Sequence, residues 1–346
     1  MPPVAVRILH PEPGAAAGPL ERWVASERAD MARRHAASFT AAGSDDVRIV
    51  AGPPDDTPFG ARLRSLAAGV GGGLVVLGSG AIPLASARDR RAFVAVAGGR
   101  DRVALANDRY SADVIAVARA DVLRDVPDLP ADNALPRWLE EVAGYEVRDM
   151  RRRWRLGVDV DGPLDILLMR PRSRPPAGVD LGTVRDRWSA VRSIAGDRRA
   201  ELLVAGRTSA TALAWLERMT ASRTRALVEE RGLRTRPDDQ RPAASVLGML
   251  IDRDGPGALG PILAGLGDAA IVDTRVLLAH RYGSDERGWP RPEDRFASDL
   301  LLPERIDDPW LRALTGSARD APIPVVLGGH TLVGPGLRLV VGTRRR

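Results

Sequence analysis

GVDVDGPLDILLM, residues 157–169, is the stretch of the sequence on which the fold depends. Apolar residues alternate with two carboxylates, Asp159 and Asp161, which is typical of a strand that is leaving the core. Pro163 and the apolar run after it predict a helix, because proline is favoured in the first turn of a helix and an aspartate just before it caps free N–H groups. We therefore expect a strand that delivers two aspartates directly into a helix capped by Asp161.

The two aspartates have two interpretations. Many nucleotide-handling folds use such a strand end to hold a metal or a phosphate, in which case Asp159 and Asp161 are metal ligands and catalytic groups. Alternatively, Asp161 only caps the helix and Asp159 accepts a hydrogen bond at the end of the strand. The pattern leaves both interpretations open.

Length and composition limit the class of protein. The 346 residues suit two domains of about 150–200 residues each. No apolar run reaches the roughly 20 residues of a membrane span, and the N-terminal sequence MPPVAVRILHPEPG lacks the pattern of a secretory signal. Cysteine is absent, which excludes disulfides, thiolate metal sites and cysteine nucleophiles. We therefore expect a cytoplasmic protein that does not contact a membrane.

All 51 basic residues are arginine, so cationic recognition of phosphate must use guanidinium groups. Residues 1–150 hold 18 arginines and 20 acidic residues, whereas residues 151–346 hold 33 and 25. Basic runs occur at 151–155, around Trp154, and at 344–346. Aromatic residues make up only 4% of the chain, and a nucleic-acid-binding face usually interleaves more of them with basic residues. Nucleic acid is therefore not the expected partner, and these runs are either solvated edges or rims that attract phosphate.

Apolar runs of strand length alternate with helical patterns, which predicts an α/β fold with a mainly parallel sheet flanked by helices. The expected order is strand 4–9, helix 20–42, strand 47–50, helix 58–69, strand 73–77, helix 86–97, strands 103–105 and 114–117, helix 133–143 and strand 145–149. A segment rich in Pro, Gly and Arg follows the helix after Pro163 and predicts a domain boundary. We expect a first domain at 1–172, a linker at 173–180 and a second α/β domain at 181–346.

In the second domain, the patterns predict a helix at 181–195, a strand at 201–205 and a helix that runs to about residue 230. An apolar strand is expected from 269 to 279, interrupted by a polar triplet, and another at 323–327. Short helices are expected near 295–299 and 310–314.

Two polar clusters follow strands in the first domain. Glycines in the turn 78–81 either permit a tight turn or let backbone N–H groups approach an anion. The second cluster is either an ordinary connection or the floor of a ligand pocket, because open α/β sheets bind ligands at the carboxyl ends of strands. Its candidate substrate-binding residues are Asn107, Asp108, Arg109, Ser111 and Asp113.

The second domain carries its own candidates. Arg207, Thr208 and Ser209 follow a strand and precede a helix, which suits either an anion cradle or ordinary helix capping. Asp273 and Arg275 follow another strand as candidate substrate-binding residues, and His330 follows Gly-Gly as a candidate general base or a loop histidine. An acid/base site in this domain could be built from four residues, Asp273, Arg275, Asp299 and His330.

Residues 1–170 resemble the nucleotidyltransferase fold, of the nucleotide-diphospho-sugar transferase-like type, that molybdenum cofactor guanylyltransferases and phospholactate guanylyltransferases share. VDVDGPLDILL resembles the closing motif of that family, with Asp159, Asp161, Pro163 and Asp165 in register and Gly162 in place of Thr. LVVLGSGAIPLAS resembles its middle strand and turn through Pro83 and Leu84, while the metal-binding aspartate of the family falls on Ala81. The family's Gly-rich phosphate loop corresponds to HPEPGAAAGPLER, which has no lysine.

The resemblance implies a nucleotide-binding protein that transfers a nucleotidyl group to a small phosphorylated acceptor with Mg²⁺. Asp159 or Asp161 would help to hold the metal, residues 107–113 would shape the acceptor pocket and arginines would replace the missing lysine. One alternative is a non-catalytic binding or scaffolding protein on the same fold. Another is a hydrolase or transferase whose site, around residues 206–209, Asp273 and His330, lies in the second domain. The sequence leaves open whether the chain forms a homo-oligomer.

Overall fold

Strands and helices alternate along the chain in two units. The computed structural model describes residues 2–129, 131–231, 233 and 241–342. The first unit consists of Met1–Ala16 and Ala25–Val160, and the second of Ala17–Val24 and Asp161–Arg346. The division therefore falls before the helix that follows Gly162, whereas the sequence predicted it after that helix, at 173–180. The basic run at 344–346 lies outside the described residues.

The sheet of the first unit is mainly parallel. Its strands lie in the order β2-β1-β3-β5-β4-β6, and β5 is antiparallel to both of its neighbours. The other pairs are parallel, so the carboxyl ends of β1, β3, β4 and β6 share one edge with the amino end of β5. The strands are β1 (Val4–Pro11), β2 (Asp46–Gly52), β3 (Gly73–Gly78), β4 (Val103–Ala106), β5 (Val114–Val117) and β6 (Glu146–Asp149).

Apolar clusters cover both faces of this sheet. On β3, Leu74 and Val76 pack into one cluster, whereas Val75 and Leu77 pack into the other. Because successive side chains point to opposite faces, a continuous apolar run is what a strand buried on both sides requires. The helices that begin in this half of the chain are α1 (Pro19–Ala41), α2 (Phe59–Ala67), α3 (Ala87–Ala97) and α4 (Leu135–Glu141), and they agree with the predicted positions.

The sheet of the second unit is parallel throughout the described residues, in the order β10-β9-β7-β8. Its strands are β7 (Glu201–Gly206), β8 (Arg223–Val228), β9 (Ala269–Asp273) and β10 (Val325–Gly328). Its helices are α5 (Pro163–Met169), α6 (Gly182–Ala195), α7 (Ala210–Met219), α8 (Val246–Asp254), α9 (Leu259–Ala264), α10 (Thr274–Tyr282), α11 (Pro292–Asp299), α12 (Pro309–Arg319), α13 (His330–Val333) and α14 (Leu337–Val341). None of the helices in the described ranges is long and apolar enough to cross a membrane.

Two predicted elements of the second unit are wrong. The helix expected to reach residue 230 ends at Met219, and Arg223–Val228 forms β8 because it pairs in parallel with β7. The strand expected to continue to residue 279 ends at Asp273, where α10 begins. The Asp273 carboxylate accepts a hydrogen bond from the backbone N–H of Arg275 and thereby favours the helix start.

The predicted strand before Asp161 is also wrong. Trp154–Gly157 forms a turn of 3₁₀ helix, and Asp159 makes only an isolated antiparallel bridge with Ala81. The apolar side chains of Val158 and Val160 are nevertheless buried, which explains the strand-like alternation in the sequence.

His35 on α1 is a titratable group inside the first unit, with 2% of its surface exposed. Burial, assisted by the positive charge of Arg90, lowers the pKa of His35 from 6.5 to about 4. The unfolded chain therefore takes up a proton at this residue before the folded chain does, so the stability linked to His35 is complete above pH 6.5 and falls as the pH drops toward 4.

We predict that the free energy of unfolding loses on the order of 3 kcal/mol through His35 between pH 6.5 and 4. The variant His35→Leu should lack this component, because leucine has no proton to gain. Urea denaturation of both proteins at a series of pH values measures the difference. Parallel pH profiles for the two proteins would contradict the assignment.

Candidate functional site

Polar residues lie at the ends of β1 and β3, at the carboxyl edge of the first unit's sheet. Nδ1 of His10 lies 3.2 Å from Oγ of Ser79, which joins the ends of the two strands. Burial lowers the pKa of His10, and the nearby Arg28 guanidinium lowers it further. The imidazole is therefore neutral at physiological pH and can either donate or accept a hydrogen bond at this edge.

Asn107 has a structural role at the same edge. It is 2% exposed, and its Nδ2 donates to Oδ2 of Asp113 (2.8 Å) and to the carbonyl of Leu156 (3.0 Å). Its Oδ1 accepts from the backbone N–H of Val114 at 3.2 Å. Asn107 thus joins the β4–β5 connection, which is a hairpin, to the segment that leads to Asp159.

The other three residues of this cluster do not converge on Asn107. Oδ1 of Asp108 accepts a hydrogen bond from the backbone N–H of Tyr110 at 2.8 Å, which shapes the turn. Arg109 forms an ion pair with Glu140, and Ser111 is half-buried. The structure therefore brings together Asn107 and Asp113, two of the five predicted residues.

Asp159 faces the turn after β3. Its Oδ1 accepts a hydrogen bond from the N–H of Val160 at 2.8 Å, and that N–H also donates to the carbonyl of Gly80 at 3.1 Å. Nε of Arg28 donates to the carbonyl of Val160 at 2.6 Å. A Cβ atom on Gly80 would come within 2.9 Å of Oδ1 of Asp159. Only a glycine therefore lets the aspartate approach the turn so closely.

A magnesium ion at this point would meet the carboxylate of Asp159. Ala81, which lies opposite it in the bridge, is buried and has no ligand atom in its side chain. Within the described residues, no group of three or more His, Asp or Glu side chains could hold a metal. Mg²⁺ often takes one carboxylate together with phosphate oxygens and waters. The residues therefore fit a magnesium ion that arrives with a polyphosphate, and do not fit an ion held by the protein alone.

Asp161 lies in the second unit and is not the cap of α5. Oδ2 of Asp165 accepts hydrogen bonds from the backbone N–H groups of Asp161 (3.0 Å) and Gly162 (2.9 Å), so Asp165 caps the helix from within its first turn. The predicted cap at Asp161 is thus wrong. Burial, with the neighbouring carboxylates of Asp161 and Asp299, raises the pKa of Asp165 well above its usual value.

Two buried ion pairs occupy the carboxyl edge of the second unit's sheet. Nε and Nη2 of Arg207 donate to the two oxygens of Asp273 at 2.6 and 3.1 Å. Arg275 forms a second two-bond pair with Asp299, in which Nη2 lies 2.7 Å from Oδ2. Burial acts to raise the pKa of Asp273, but the charge of Arg207 overcomes it and the pKa lies below its usual value.

The remaining candidates of the second unit surround these pairs. Oγ of Ser209 caps α7 by accepting from the N–H of Ala212 at 3.1 Å, and Thr208 is fully buried. His330 is half-buried and lies close enough to Asp273 to help lower the pKa of that carboxyl. Asp273, Arg275, Asp299 and His330 therefore lie together, as a site would require. Each of the two guanidinium groups already holds a carboxylate through two hydrogen bonds.

Glu293 is a buried carboxylate that sequence reasoning missed. Its oxygens accept hydrogen bonds from the backbone N–H groups of Leu20 and Glu21 at 3.0–3.2 Å, so it caps the start of α1. About 270 residues separate the two partners, and no local pattern in the sequence signals their contact.

No protein-family model and no curated protein matches this chain.

We predict that Arg207→Met lowers the free energy of unfolding by about 3–5 kcal/mol, because it leaves the Asp273 carboxylate buried without its partner. Adding Asp273→Asn should recover most of the loss, since asparagine is neutral and can still accept from the N–H of Arg275. Urea denaturation measures both effects. The matched control is Arg287→Met, which removes an exposed pair with Asp285 and should leave the unfolding midpoint unchanged. A double variant less stable than the single one would show that the pair is not the source of the loss.

Proposed function

We propose that the first unit binds a nucleotide at the carboxyl edge of its sheet, as a nucleotidyltransferase-like protein. The contact between His10 and Ser79 at the point where the strand order reverses carries this proposal. From β1 the chain forms β2 on one side of the sheet and β3 on the other, so the connections after β1 and β3 diverge. In open α/β sheets, ligands bind in the crevice that such a divergence opens.

The backbone near this crevice suits a phosphate group. Residues 12–16 follow β1 as an exposed loop, and a Cβ atom on Gly14 would meet nothing within 4 Å. Gly78, at the end of β3, has the same open space beside it. In the loop 12–16, small residues allow a ligand to approach backbone N–H groups, which are strong donors to phosphate oxygens. At the end of β3 the N–H of Gly78 already donates to the carbonyl of Asp113 at 3.2 Å, so Gly78 contributes space rather than a donor. In the nucleotidyltransferase family that residues 1–170 resemble, the corresponding loop binds the nucleotide phosphates.

The side chains at the carboxyl edge of the first unit's sheet can be considered first for nucleotide binding and then for nucleotidyl transfer. The neutral His10 imidazole and the Ser79 hydroxyl can hydrogen-bond to a base, a ribose or a phosphate. When bound, magnesium would neutralise charge on the phosphates, and Asp159 is the first-unit residue that would hold it. Ala81 offers no second ligand, so we expect nucleotide binding with slow nucleotidyl transfer or none. Residues 108–111, in the loop of the β4–β5 hairpin, are where a phosphorylated acceptor would approach if transfer occurs.

The second unit is a weaker candidate for the chemistry. A hydrolase or transferase site there would require a free base or nucleophile, but the Asp273 carboxylate is held by Arg207, and Ser209 caps α7. The Asp299 carboxylate is likewise held by Arg275. These contacts favour the first unit as the nucleotide site.

We predict that one of ATP, GTP, CTP or UTP raises the melting temperature of the protein, with a larger effect when MgCl₂ is present. At about a hundredfold excess over Kd, binding stabilises the folded state by about 2.7 kcal/mol, which corresponds to roughly 5–10 °C. Gly78→Val should abolish the shift, because the added side chain enters the open space at the end of β3. Asp159→Asn should remove only the magnesium-dependent part.

The matched control is Gly257→Val, which adds the same side chain in open space at an exposed position of the second unit. It should leave the nucleotide-induced shift unchanged. If no nucleotide raises the melting temperature, or if Gly257→Val and Gly78→Val act alike, the proposal fails. A shift with no detectable release of pyrophosphate identifies a binding protein rather than a transferase.

A further inference from the structure

A separate cleft of about 420 Å³ lies in the first unit. Its lining comes from segments that precede β1, β3 and β4 and from the segment that follows β5, so it lies at the amino edge of the sheet. Strands of six residues are roughly 20 Å long, which separates this cleft from the crevice at the carboxyl edge. The lining residues are Pro2, Val70, Gly71, Gly72, Gly99, Arg100, Arg119, Asp121 and Arg124.

Three of the lining residues are arginines, and one is acidic. Nη2 of Arg119 lies 4.0 Å from Oδ2 of Asp121, at the outer limit of an ion pair. Within the described part of the chain, the guanidinium groups of Arg100 and Arg124 make no hydrogen bond and no ion pair. The walls of the cleft thus carry an excess of two positive charges, unlike the many arginines of this protein that pair with a carboxylate.

The backbone at Arg119 is held in a conformation that an arginine rarely adopts. Its φ and ψ angles are 54° and 69°, in the left-handed region, where a side chain costs about 1 kcal/mol or more. Buried Tyr145 holds it there, because its hydroxyl donates to the carbonyls of Ala118 (2.9 Å) and Arg119 (3.1 Å). The N–H of Ala120 donates to the carbonyl of Gly72 at 2.8 Å and ties the same turn to the start of β3.

Such strain persists where the surrounding structure determines the conformation, and it is concentrated at binding sites. Here the strained backbone holds Arg119 in place, and the cleft is also lined by Arg100 and Arg124. The glycines leave the cleft unfilled: a Cβ atom on Gly71 would meet nothing within 4 Å, whereas one on Gly72 would collide with the carbonyl oxygen of Pro3. The position of Gly72 therefore requires glycine for packing, and that of Gly71 leaves space.

We propose that this cleft binds a phosphorylated small molecule through the guanidinium groups of Arg100, Arg119 and Arg124. The planar fork of arginine matches two phosphate oxygens at once, and in a chain without lysine it is the group that can do so. The volume lies within the range of small-molecule sites. The site is independent of the nucleotide proposal, since it uses different residues at the opposite edge of the sheet.

Isothermal titration of the full chain with inorganic pyrophosphate tests the proposal. We expect Arg100→Ala and Arg124→Ala each to weaken binding by about tenfold or more, as the loss of a charge-assisted hydrogen bond predicts. Gly71→Leu should abolish binding by filling the cleft without changing its charge. Arg91→Ala, which removes an exposed arginine of α3 that does not line the cleft, should bind as the wild type does.

The variant Gly78→Val shows at which edge of the sheet pyrophosphate binds. Pyrophosphate binding that survives Gly78→Val but not Gly71→Leu places the anion at the amino edge, whether or not any nucleotide binds at the carboxyl edge. The proposal is overturned if pyrophosphate does not bind, if Arg91→Ala weakens binding as much as Arg100→Ala, or if Gly78→Val alone abolishes it. Circular dichroism and the melting temperature of each variant show whether it folds, and Arg100→Gln and Arg124→Gln replace any alanine variant that does not.

Discussion

Parallel pairing between neighbouring strands is the constraint on which both units of this protein depend. Two parallel strands end at the same edge of a sheet, and the chain must return through a helix before the second can begin. The pairs β1–β2 and β1–β3 obey this rule in the first unit, as does every pair in the second unit's described sheet. Polar residues that directly follow strands are therefore collected at one edge, although long stretches of sequence separate them.

The same constraint produces different chemistry in the two units. In the second unit, the edge is filled by the pairs Arg207–Asp273 and Arg275–Asp299, which are buried. A buried charge is tolerated only with a partner of good geometry. The carboxylates and guanidinium groups of these pairs are therefore already used within the protein. In the first unit, the His10–Ser79 contact joins two half-buried or buried side chains without an ion pair, and glycines border open space beside them. That difference supports the proposal that the first unit binds a ligand.

Sequence patterns predicted the elements that are apolar on a regular period and failed where tertiary contacts decide. The predicted bounds of the buried strand β3 and of the long helix α1 agree closely with the observed ones. A strand that is buried on both faces is apolar throughout, and a helix that is buried along one side has apolar residues at a helical period. The edge strand β8 has an exposed, Arg-rich sequence, and only its pairing with β7 makes it a strand. The aspartate just before Gly162-Pro163 predicts Asp161 as the cap of α5, but the carboxylate of Asp165 accepts the hydrogen bonds that cap this helix. The pairing of Arg207 with Asp273, 66 residues away, has no local signal.

The amino-edge cleft escaped sequence reasoning for a related reason. Ligands of parallel sheets bind where the strands end, at the carboxyl edge, and β5 is the strand of the first unit's sheet that ends at the other edge. Because β5 runs against its neighbours, Asp113 at its start joins the carboxyl edge, and Arg119 just after its end joins the amino edge. One reversed strand thus supplies a carboxylate to the carboxyl edge and a guanidinium group to the amino edge.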